Sequence, residues 1–257
     1  MRTTRPGTTR RAALMMGSGA MAASVAAMLP SSSRAQSSPG VPSAAPSRIG
    51  IIGSGNIGGA IGSLWVQAGH PVLFSSRHPE ELKGLVDGLG SLARAGTPQE
   101  AVAFGDVVFV AVPYGAMPGI SREFGSAFGG KVLLDACNAV AGRDGEVANA
   151  ANAKGIGLAT AGYFPSARVV RAFNTLGVNV FKAQAHRPGA PLAVPIAGDD
   201  PNAITVASGL VRDAGFEPVP VGPLARATEF AMGSRGFGQA LDAQQLRQLL
   251  SLSASRS

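Results

Sequence analysis

The stretch Gly50-Ile-Ile-Gly-Ser-Gly-Asn-Ile-Gly58 decides the fold of this chain. A short apolar run leads directly into three glycines with the spacing Gly-x-Gly-x-x-Gly, at Gly53, Gly55 and Gly58. In this pattern the first glycine permits a tight turn after a strand, the second lets the backbone approach a pyrophosphate, and the third lets the next helix pack close to the sheet. The helix N-terminus binds phosphate through its free N–H groups and its dipole. The stretch therefore predicts a dinucleotide site; a glycine turn without a ligand is the alternative.

The end of the next strand indicates which dinucleotide binds. An NAD site usually ends this strand with Asp or Glu, which binds the ribose 2′-hydroxyl. Here the strand ends with Ser75, Ser76 and Arg77, and the first carboxylates after it are Glu80 and Glu81. Two hydroxyls and a guanidinium can bind a 2′-phosphate, so the sequence favours NADP(H). Arg77 as an ordinary solvated charge is the alternative.

Residues 1–35 have the composition of an export signal. Four arginines and no acid precede an apolar stretch of small residues at 12–29, and Ala35 completes a small-x-small cleavage site. The pair Arg10-Arg11 is typical of the twin-arginine pathway. We expect cleavage before Gln36, a periplasmic or extracytoplasmic location, and membrane contact only during transport. An uncleaved N-terminal anchor is the alternative.

Most of the positive charge belongs to this signal. The chain has 22 Lys and Arg against 15 Asp and Glu, a formal net charge of +7, and five of the arginines lie in residues 1–35. The remainder of the chain is close to neutral and has no basic run with interleaved aromatics, so nucleic-acid binding is not expected. The single cysteine, Cys137, excludes an intrachain disulfide.

The rest of the chain divides into three parts. Residues 36–47, rich in Ser, Pro and Ala, predict a disordered spacer. Apolar runs of strand length then alternate with helical segments, which predicts an α/β fold with a Rossmann-type, doubly wound, mostly parallel sheet and a short C-terminal extension. We assign 48–150 to an NADP-binding Rossmann domain and 151–257 to an extension of the sheet and a substrate-side lobe. The last predicted helix, 240–252, packs on the sheet or on a second subunit, which leaves a homodimer open.

The predicted elements alternate regularly along the chain. Strands are expected at 49–52, 72–75, 92–95, 107–112, 132–135, 169–172, 192–197 and 218–221. Helices are expected at 56–68, 79–89, 98–104, 117–128, 201–214 and 240–252.

Ligands of open α/β sheets bind at the carboxyl ends of the strands. Beyond the glycine turn, these ends carry Val112, Pro113 and Tyr114, then Asn138, and finally Phe173 and Asn174. We expect these loops to converge, with Pro113 beside the path of the dinucleotide. Asn138 and Asn174 offer amides to the nicotinamide carboxamide or to a second substrate, and Tyr114 and Phe173 lie in the same loops. For the asparagines, a turn or cap role is the alternative.

No catalytic acid or base stands out in the sequence. The three histidines, His70, His78 and His186, fall in a turn, beside the 2′-phosphate position and in a polar loop, where core or surface roles are expected. Hydride transfer between two ring cofactors needs no protein acid, because the protein has only to hold the rings together and exclude water. One cysteine and three scattered histidines also give no metal-ligand spacing.

The chain resembles the F420-dependent NADP oxidoreductase family from about residue 48 to residue 230. The resemblance is carried by several blocks besides the glycine turn: Ser76-Arg77, Val110-Ala-Val-Pro113, Leu134-Asp-Ala-Cys-Asn138, Val169-Val-Arg-Ala-Phe-Asn-Thr175, Ile196-Ala-Gly-Asp-Asp200, Gly215-Phe-Glu-Pro218 and Val221-Gly-Pro-Leu224. The block Ala172-Phe-Asn-Thr175 is the most specific of them.

The resemblance implies hydride transfer between NADPH and coenzyme F420. It implies that Ser54, Asn56 and Ile57 surround the pyrophosphate, that Ser76 and Arg77 hold the 2′-phosphate, and that Val112, Pro113 and Asn138 line the dinucleotide. Two departures weaken the analogy. Glu80 and Glu81 stand where some family members carry a basic residue, and an exported protein lies away from the cytosolic pool of F420.

Three functions remain open. The first is a reductase that moves hydride from NADPH to a small-molecule acceptor: F420, a flavin, a quinone or ferric iron. The second is a non-catalytic NADP(H)-binding protein. The third is an imine or hydroxyacid reductase, which would normally need a long helical C-terminal domain that this chain is too short to hold.

Overall fold

The fold is built on one eight-stranded sheet. The computed structural model describes residues 46–252, so the predicted signal and most of the predicted spacer lie outside the described residues. In chain order the strands are β1 (Ile49–Ile52), β2 (Val72–Ser75), β3 (Ala93–Gly96), β4 (Val107–Val110), β5 (Val132–Asp135), β6 (Arg168–Arg171), β7 (Ala193–Gly198) and β8 (Glu217–Gly222).

The strand order is β3-β2-β1-β4-β5-β6-β7-β8. The first six strands are parallel, which is the doubly wound order of dinucleotide-binding folds. Strand β7 then pairs antiparallel with β6, and β8 runs parallel to β7. The predicted Rossmann-type sheet with a short extension is confirmed.

Helices connect the strands on both faces of the sheet. They are α1 (Asn56–Gln67), α2 (Lys83–Asp87), α3 (Pro98–Phe104), α4 (Met117–Phe124), α5 (Ala141–Lys154), α6 (Ile156–Tyr163), α7 (Val178–Gln184), α8 (Pro201–Asp213) and α9 (Ala243–Leu249). Short 3₁₀ segments lie at Pro79–Leu82, Tyr114–Ala116, Gly125–Phe128 and Leu224–Phe230. Among the described residues, no helix is long and apolar enough to span a bilayer.

Burial explains the parallel arrangement. Strands β1, β2, β4 and β5 are buried along their whole length, as expected for strands covered on both faces. On one face α1 and α8 pack over the sheet, with Trp65 at 0% exposure donating a hydrogen bond from Nε1 to the Leu210 carbonyl at 2.7 Å. On the other face α5 and α6 cover β4 and β5.

The extension has a small core of its own. Leu246 and Leu250 are buried against Val219 and Val221 of β8 and against Phe230. Helix α9 begins with a capping box, in which Asp242 accepts from the Gln245 N–H and Gln245 accepts from the Asp242 N–H. The last helix therefore packs on the sheet of its own chain, which is the first of the two alternatives considered for it.

Candidate functional site

The glycine turn has the geometry that its sequence predicts. Gly53 comes directly after β1 with φ of +92°, and a Cβ there would lie 2.6 Å from the Ala111 carbonyl oxygen. A Cβ on Gly58 would lie 2.0 Å from the Gly53 carbonyl oxygen. Backbone conformation and space therefore require the first glycine, and close packing of α1 on the turn requires the third.

Gly55 differs from its two neighbours in the motif. An added Cβ there would meet nothing within 4 Å, because the residue faces open space at the N-terminus of α1. The first turn of a helix leaves backbone N–H groups without intrahelical acceptors. The Ser54 hydroxyl oxygen is also buried, with no partner among the described residues. Free donors beside a space that a Cβ would fill fit a bound pyrophosphate.

A cavity of about 1080 Å³ runs from this turn along the carboxyl ends of the strands. The predicted site residues that line this cavity are Gly53, Ser54, Gly55, Ser75, Ser76, Arg77, Val112 and Pro113. A second cavity of about 700 Å³ shares Ser54 and Gly55 and adds Asn56 on the outer side of α1. The structure thus brings the predicted dinucleotide residues of three strand ends together. We call the region from Gly53 to Gly58, with Ser76 and Arg77, the phosphate end.

The side chains after β2 have different roles. Ser75 is fully buried, and its hydroxyl donates to the Ile51 carbonyl at 2.6 Å, so this hydroxyl serves the sheet instead of the predicted 2′-phosphate. The Ser76 hydroxyl accepts from the His78 N–H at 3.1 Å and lines the cavity. Arg77 is exposed, and no carboxylate in residues 46–252 lies within ion-pair distance of it. Its guanidinium is therefore available to a phosphate.

Glu81 lies in both cavities. It is exposed in the first turn of the segment Pro79–Leu82 and faces the same space as Arg77. A carboxylate here opposes a phosphate by charge repulsion. Glu81 is one of the two carboxylates that follow Arg77 in the sequence, and its position in the cavity is unfavourable for a 2′-phosphate bound there.

Asn138 and Asn174 meet at the ends of β5 and β6, and we call this pair the amide end. The Asn138 side-chain amide donates to the Asn174 carbonyl at 2.7 Å. The Asn174 side-chain amide donates to the Phe230 carbonyl at 3.0 Å, and its Oδ1 is buried with no partner within the described part of the chain. Both side-chain amides thus bind backbone carbonyls that are distant in the sequence. Asn138 is half-buried, and its Oδ1 lies 3.5 Å from the Asn174 side-chain nitrogen.

Tyr114 and Phe173 do not face the cleft. Tyr114 is fully buried, and its hydroxyl lies 3.1 Å from Thr160 Oγ1; burial raises the pKa of this phenol well above its ordinary value. Phe173, 1% exposed, packs edge-to-face on Trp65 and Phe109. The prediction that these two residues contact the substrate is therefore corrected. The segment Tyr114–Ala116 directs the tyrosine side chain into the protein, and the phenylalanine is part of the aromatic core.

Phe173 is held in a strained backbone conformation. Its φ of +60° lies in the left-handed region, which bulky residues rarely adopt. The turn it makes carries the chain from β6 to Asn174. Ile57, another predicted contact, lies in the first turn of α1, where it is half-buried and packs against the core.

Two charged groups near the amide end were not among the predicted site residues. The first is at the ends of the buried strands β5 and β6, where the side chains of Asp135 and Arg171 form an ion pair at 2.7 Å with 0% exposure on both sides. The available signal was an acid at the end of the apolar strand β5 and a base at the end of β6 beside two valines, because buried charges must be paired.

The second group is the pair Arg143 and Asp144 at the start of α5. Arg143 donates to the Asn138 carbonyl at 2.7 Å and to Asp144. Asp144 accepts from the Val140 N–H at 3.0 Å, and its side chain is 2% exposed. The hydrogen bond from Arg143 lowers the pKa of Asp144 to about 2, despite the opposing effect of burial. The pair therefore holds the loop that carries Asn138.

The histidines were expected in core or surface roles. The contacts of His70 are structural ones. It accepts from the Ser47 N–H at 3.0 Å and lies 3.0 Å from the Asp213 carboxylate, at the opposite end of α1 from the glycine turn. Within residues 46–252 no group of three or more His, Cys, Asp or Glu side chains is arranged to hold a metal ion.

Comparison with known proteins agrees with this site. Residues 48–139 match the family described as NADP oxidoreductase, coenzyme F420-dependent. Residues 48–139 are therefore similar in sequence to NADP-dependent oxidoreductases. The match agrees with the predicted enzyme class, and it covers β1 to β5 with the phosphate end and Asn138.

Three proteins illustrate the relationship. The rat metalloreductase STEAP3 is 32% identical over 192 residues, which are 74% of this chain and 36% of the length of that protein. A hypothetical protein from Sinorhizobium meliloti superposes with a TM-score of 0.64 at 28% identity, covering 77% of this chain and 95% of the other. A protein from Arthrobacter, whose name proposes an F420-dependent NADP reductase, superposes with a TM-score of 0.62 at 20% identity, covering 76% and 99%. At this identity, the last comparison shows the fold alone.

Proposed function

We propose that the protein binds NADPH at this cleft and transfers hydride to a ring-type acceptor such as coenzyme F420 or a flavin. The observation that carries the proposal is the joining of the open space at Gly55 and the free guanidinium of Arg77 in one cavity. A dinucleotide with a 2′-phosphate is the ligand that matches both features. The oxidoreductase relatives support the same assignment.

Each residue of the cleft has a role that its position supports. The N-terminus of α1 holds the pyrophosphate, with the Ser54 hydroxyl as an additional donor. Ser76 and Arg77 hold the 2′-phosphate, and Val112 and Pro113, which line the cavity, border the path towards the nicotinamide. Asn138 is not among the residues that line the cavity; it follows the neighbouring strand β5, and we assign it to the nicotinamide end of the same path. NADPH, when bound, supplies the hydride. The protein contributes orientation and exclusion of water, so no side chain has to donate or accept a proton.

A second acceptor class has support of its own. The curated relative STEAP3 is named as a metalloreductase, and it shares 32% identity with this chain over 192 residues. Because that stretch is 36% of the length of STEAP3, its activity transfers only as a proposal. Ferric iron, presented as a chelate, or a quinone is therefore the alternative acceptor, and a non-catalytic NADP(H)-binding protein is the remaining alternative.

A steady-state assay distinguishes these functions. The absorbance of NADPH is measured over time with F420, FMN, quinones and ferric chelates in turn, and NADPH binding is titrated without an acceptor. The proposal expects acceleration by F420 or FMN that exceeds acceleration by ferric chelates. The opposite ranking favours the metalloreductase alternative, and tight binding with no accelerated oxidation favours the non-catalytic one.

We also propose that the protein is exported by the twin-arginine pathway, which carries folded proteins with their cofactors. Replacing Arg10 and Arg11 with Lys keeps the charge and should stop export. Cell fractionation and N-terminal sequencing test this, with mature protein expected to begin at Gln36. If the unmodified chain stays in the cytosol with residues 1–35 attached, the export proposal fails.

The homodimer remains a prediction, and sedimentation analysis of the purified protein would test it.

A further inference from the structure

A fully buried ion pair joins the ends of β5 and β6. Asp135 and Arg171 are partners in the parallel register of these strands, and Arg171 Nη1 lies 2.7 Å from Asp135 Oδ2. Both side chains have 0% exposure. The pair sits directly before the two loops that carry Asn138 and Asn174.

Both charges bind the backbone of one residue. Asp135 Oδ1 accepts from the Cys137 N–H at 2.8 Å, and Arg171 Nη1 donates to the Cys137 carbonyl at 2.8 Å. The Cys137 thiol in turn donates to the Val110 carbonyl and accepts from the Val112 N–H, each at 3.4 Å. The ion pair therefore fixes the residue before Asn138 and, through the thiol, the loop at Val112.

Two buried hydroxyls complete the network. Thr160 Oγ1 donates to Asp135 Oδ2 at 2.7 Å, and the Tyr114 hydroxyl, 3.1 Å from Thr160 Oγ1, is then the donor to it. Neither hydroxyl is hydrogen-bonded to Cys137. Thr160 thus shares the carboxylate with Arg171 but does not hold the loop.

Stability does not account for an ionised pair at this place. Arg171 Nε and Nη2 are buried with no partner among the residues described, and unpaired buried donors are unfavourable. Removing two charges from water is costly, and well-packed apolar residues of similar volume often replace a buried pair without loss of stability. What an apolar pair cannot do is bind the N–H and the carbonyl of Cys137 at the same time.

We propose that Asp135 and Arg171 are positioning residues for the nicotinamide end of NADP(H). They hold residues 136–138 so that Asn138 and Val112 meet the nicotinamide ring in one orientation. The proposal rests on the proposed function, since it assumes that the cleft binds this cofactor. The hydrogen bonds of the pair go to the loop at Cys137 and not to the phosphate end, so the cofactor's adenosine and pyrophosphate should bind without it.

The decisive variant replaces both charges, Asp135→Leu with Arg171→Met. Saturation-transfer difference NMR with NADP⁺ compares transfer to the nicotinamide protons with transfer to the adenine protons, and it needs no acceptor. We expect the relative nicotinamide signal to fall by about half or more, while the Kd for NADP⁺ changes less than about 3-fold. Where an acceptor is known, turnover should fall roughly 10- to 100-fold, since a displacement of about 1 Å can cost that much.

Two further variants keep the test decisive. Arg171→Lys retains a charge partner for Asp135 and hence the fold. Both hydrogen bonds of Arg171 come from Nη1, and the lysine side chain is one bond shorter, so an ammonium that stays at Asp135 should fall short of the Cys137 carbonyl; the same loss of nicotinamide signal is expected. Thr160→Val removes the hydrogen bond to the same carboxylate and the one from the Tyr114 hydroxyl, but no hydrogen bond of Cys137, and a wild-type ratio of the two signals is expected. Thermal unfolding of each variant is measured in parallel.

The outcomes separate the two proposals. If wild-type protein gives no transfer to either ring of NADP⁺, the proposed function fails and the positioning role fails with it. If wild-type protein gives both signals and folded Arg171→Lys keeps the wild-type ratio and turnover, only the positioning role is overturned. A loss in Thr160→Val equal to that in Arg171→Lys, in proportion to lost thermal stability, also overturns it.

Discussion

The phosphate end and the amide end of the cleft are built from different kinds of interaction. At the phosphate end, the six-residue turn Gly53–Gly58 supplies the conformation and the free donors, and its packing partners outside the turn include Ala111. At the amide end, Asn138 is bound to a residue 36 positions away, and Asn174 to one 56 positions away. The first is therefore a local structure that a motif can specify, whereas the second exists only when the sheet has assembled.

The two ends also differ in exposure. Gly55, Asn56 and Arg77 are exposed, while Asn174 is buried and Asn138 half-buried beside a buried ion pair. Substitutions at the phosphate end should therefore alter affinity more than stability. Substitutions at the amide end should alter stability or orientation more than affinity.

The largest expected effect is that of Gly55→Val. The new side chain enters the space assigned to the pyrophosphate, so NADPH binding should weaken more than roughly 100-fold, while circular dichroism stays unchanged because a Cβ there meets no protein atom. Gly209→Val on α8 is the matched control, since its Cβ would also meet nothing within 4 Å. Binding that survives Gly55→Val would show that the glycine turn is not the dinucleotide site.

Arg77→Ala tests the 2′-phosphate. Loss of a charged bidentate contact should weaken NADPH roughly 10- to 100-fold and leave NADH nearly unchanged. Arg247→Ala on α9 removes the same charge away from the cleft and should affect neither cofactor. Isothermal titration with both cofactors decides the matter, and an equal loss for NADPH and NADH would rule out the phosphate contact.

Asp144→Asn tests the loop of the amide end through pH. The folded pKa of Asp144, about 2, lies below its ordinary 3.8, so the stabilisation is present above about pH 4 and is lost as the pH falls towards 2. With Arg143 half-exposed, we expect the variant to lose about 1–2 kcal/mol at neutral pH and less than about 0.5 kcal/mol near pH 2.

Urea unfolding at several pH values measures this difference. Asp106→Asn breaks the exposed pair with Arg48 and serves as the control, for which a loss below about 1 kcal/mol is expected. A loss in Asp144→Asn that does not change with pH would show that the ion pair is not its cause.

The smallest expected effect is that of Glu81→Gln. Removing a carboxylate from the cavity of Arg77 should tighten NADPH binding about 2- to 5-fold at low salt, and less at high salt. Glu80→Gln is the control, because Glu80 contacts His78 and does not line the cavity. Equal effects from both variants would assign the change to net charge instead of to the position of Glu81.

Sequence patterns predicted the fold well where a local rule applies. Strand β5 and helix α3 have the predicted bounds. Helix α3 starts at Pro98 because Thr97 is its N-cap and forms a capping box with Glu100. Two predicted helices, 79–89 and 117–128, are instead each divided into a 3₁₀ segment and a short α-helix. The regular spacing of apolar residues does not distinguish the two helix types.

Three helices were not predicted. Helix α5 is rich in Ala, Asn and Gly and buries only Ala148 and Ala151, so no apolar stripe marks it, and Gly145 interrupts it with φ of +56°. Helix α6 is mostly apolar with no polar face, and α7 spans only seven residues. These segments become helical because they pack under the sheet and against α1, not because of a pattern of their own.

What the sequence by itself determined is the phosphate end and the order of strands and helices around it. The glycine spacing, the apolar runs of the strands and Arg77 are recognised within a few residues, so predicting them does not depend on distant parts of the chain. Only the tertiary structure decided that Ser75 serves the sheet, that Tyr114 and Phe173 belong to the core, and that Asp135 and Arg171 hold the loop before Asn138. The physical reason is that each of these contacts joins residues of different strands, helices or loops, and a side chain's partner is settled by which strands become neighbours in the sheet.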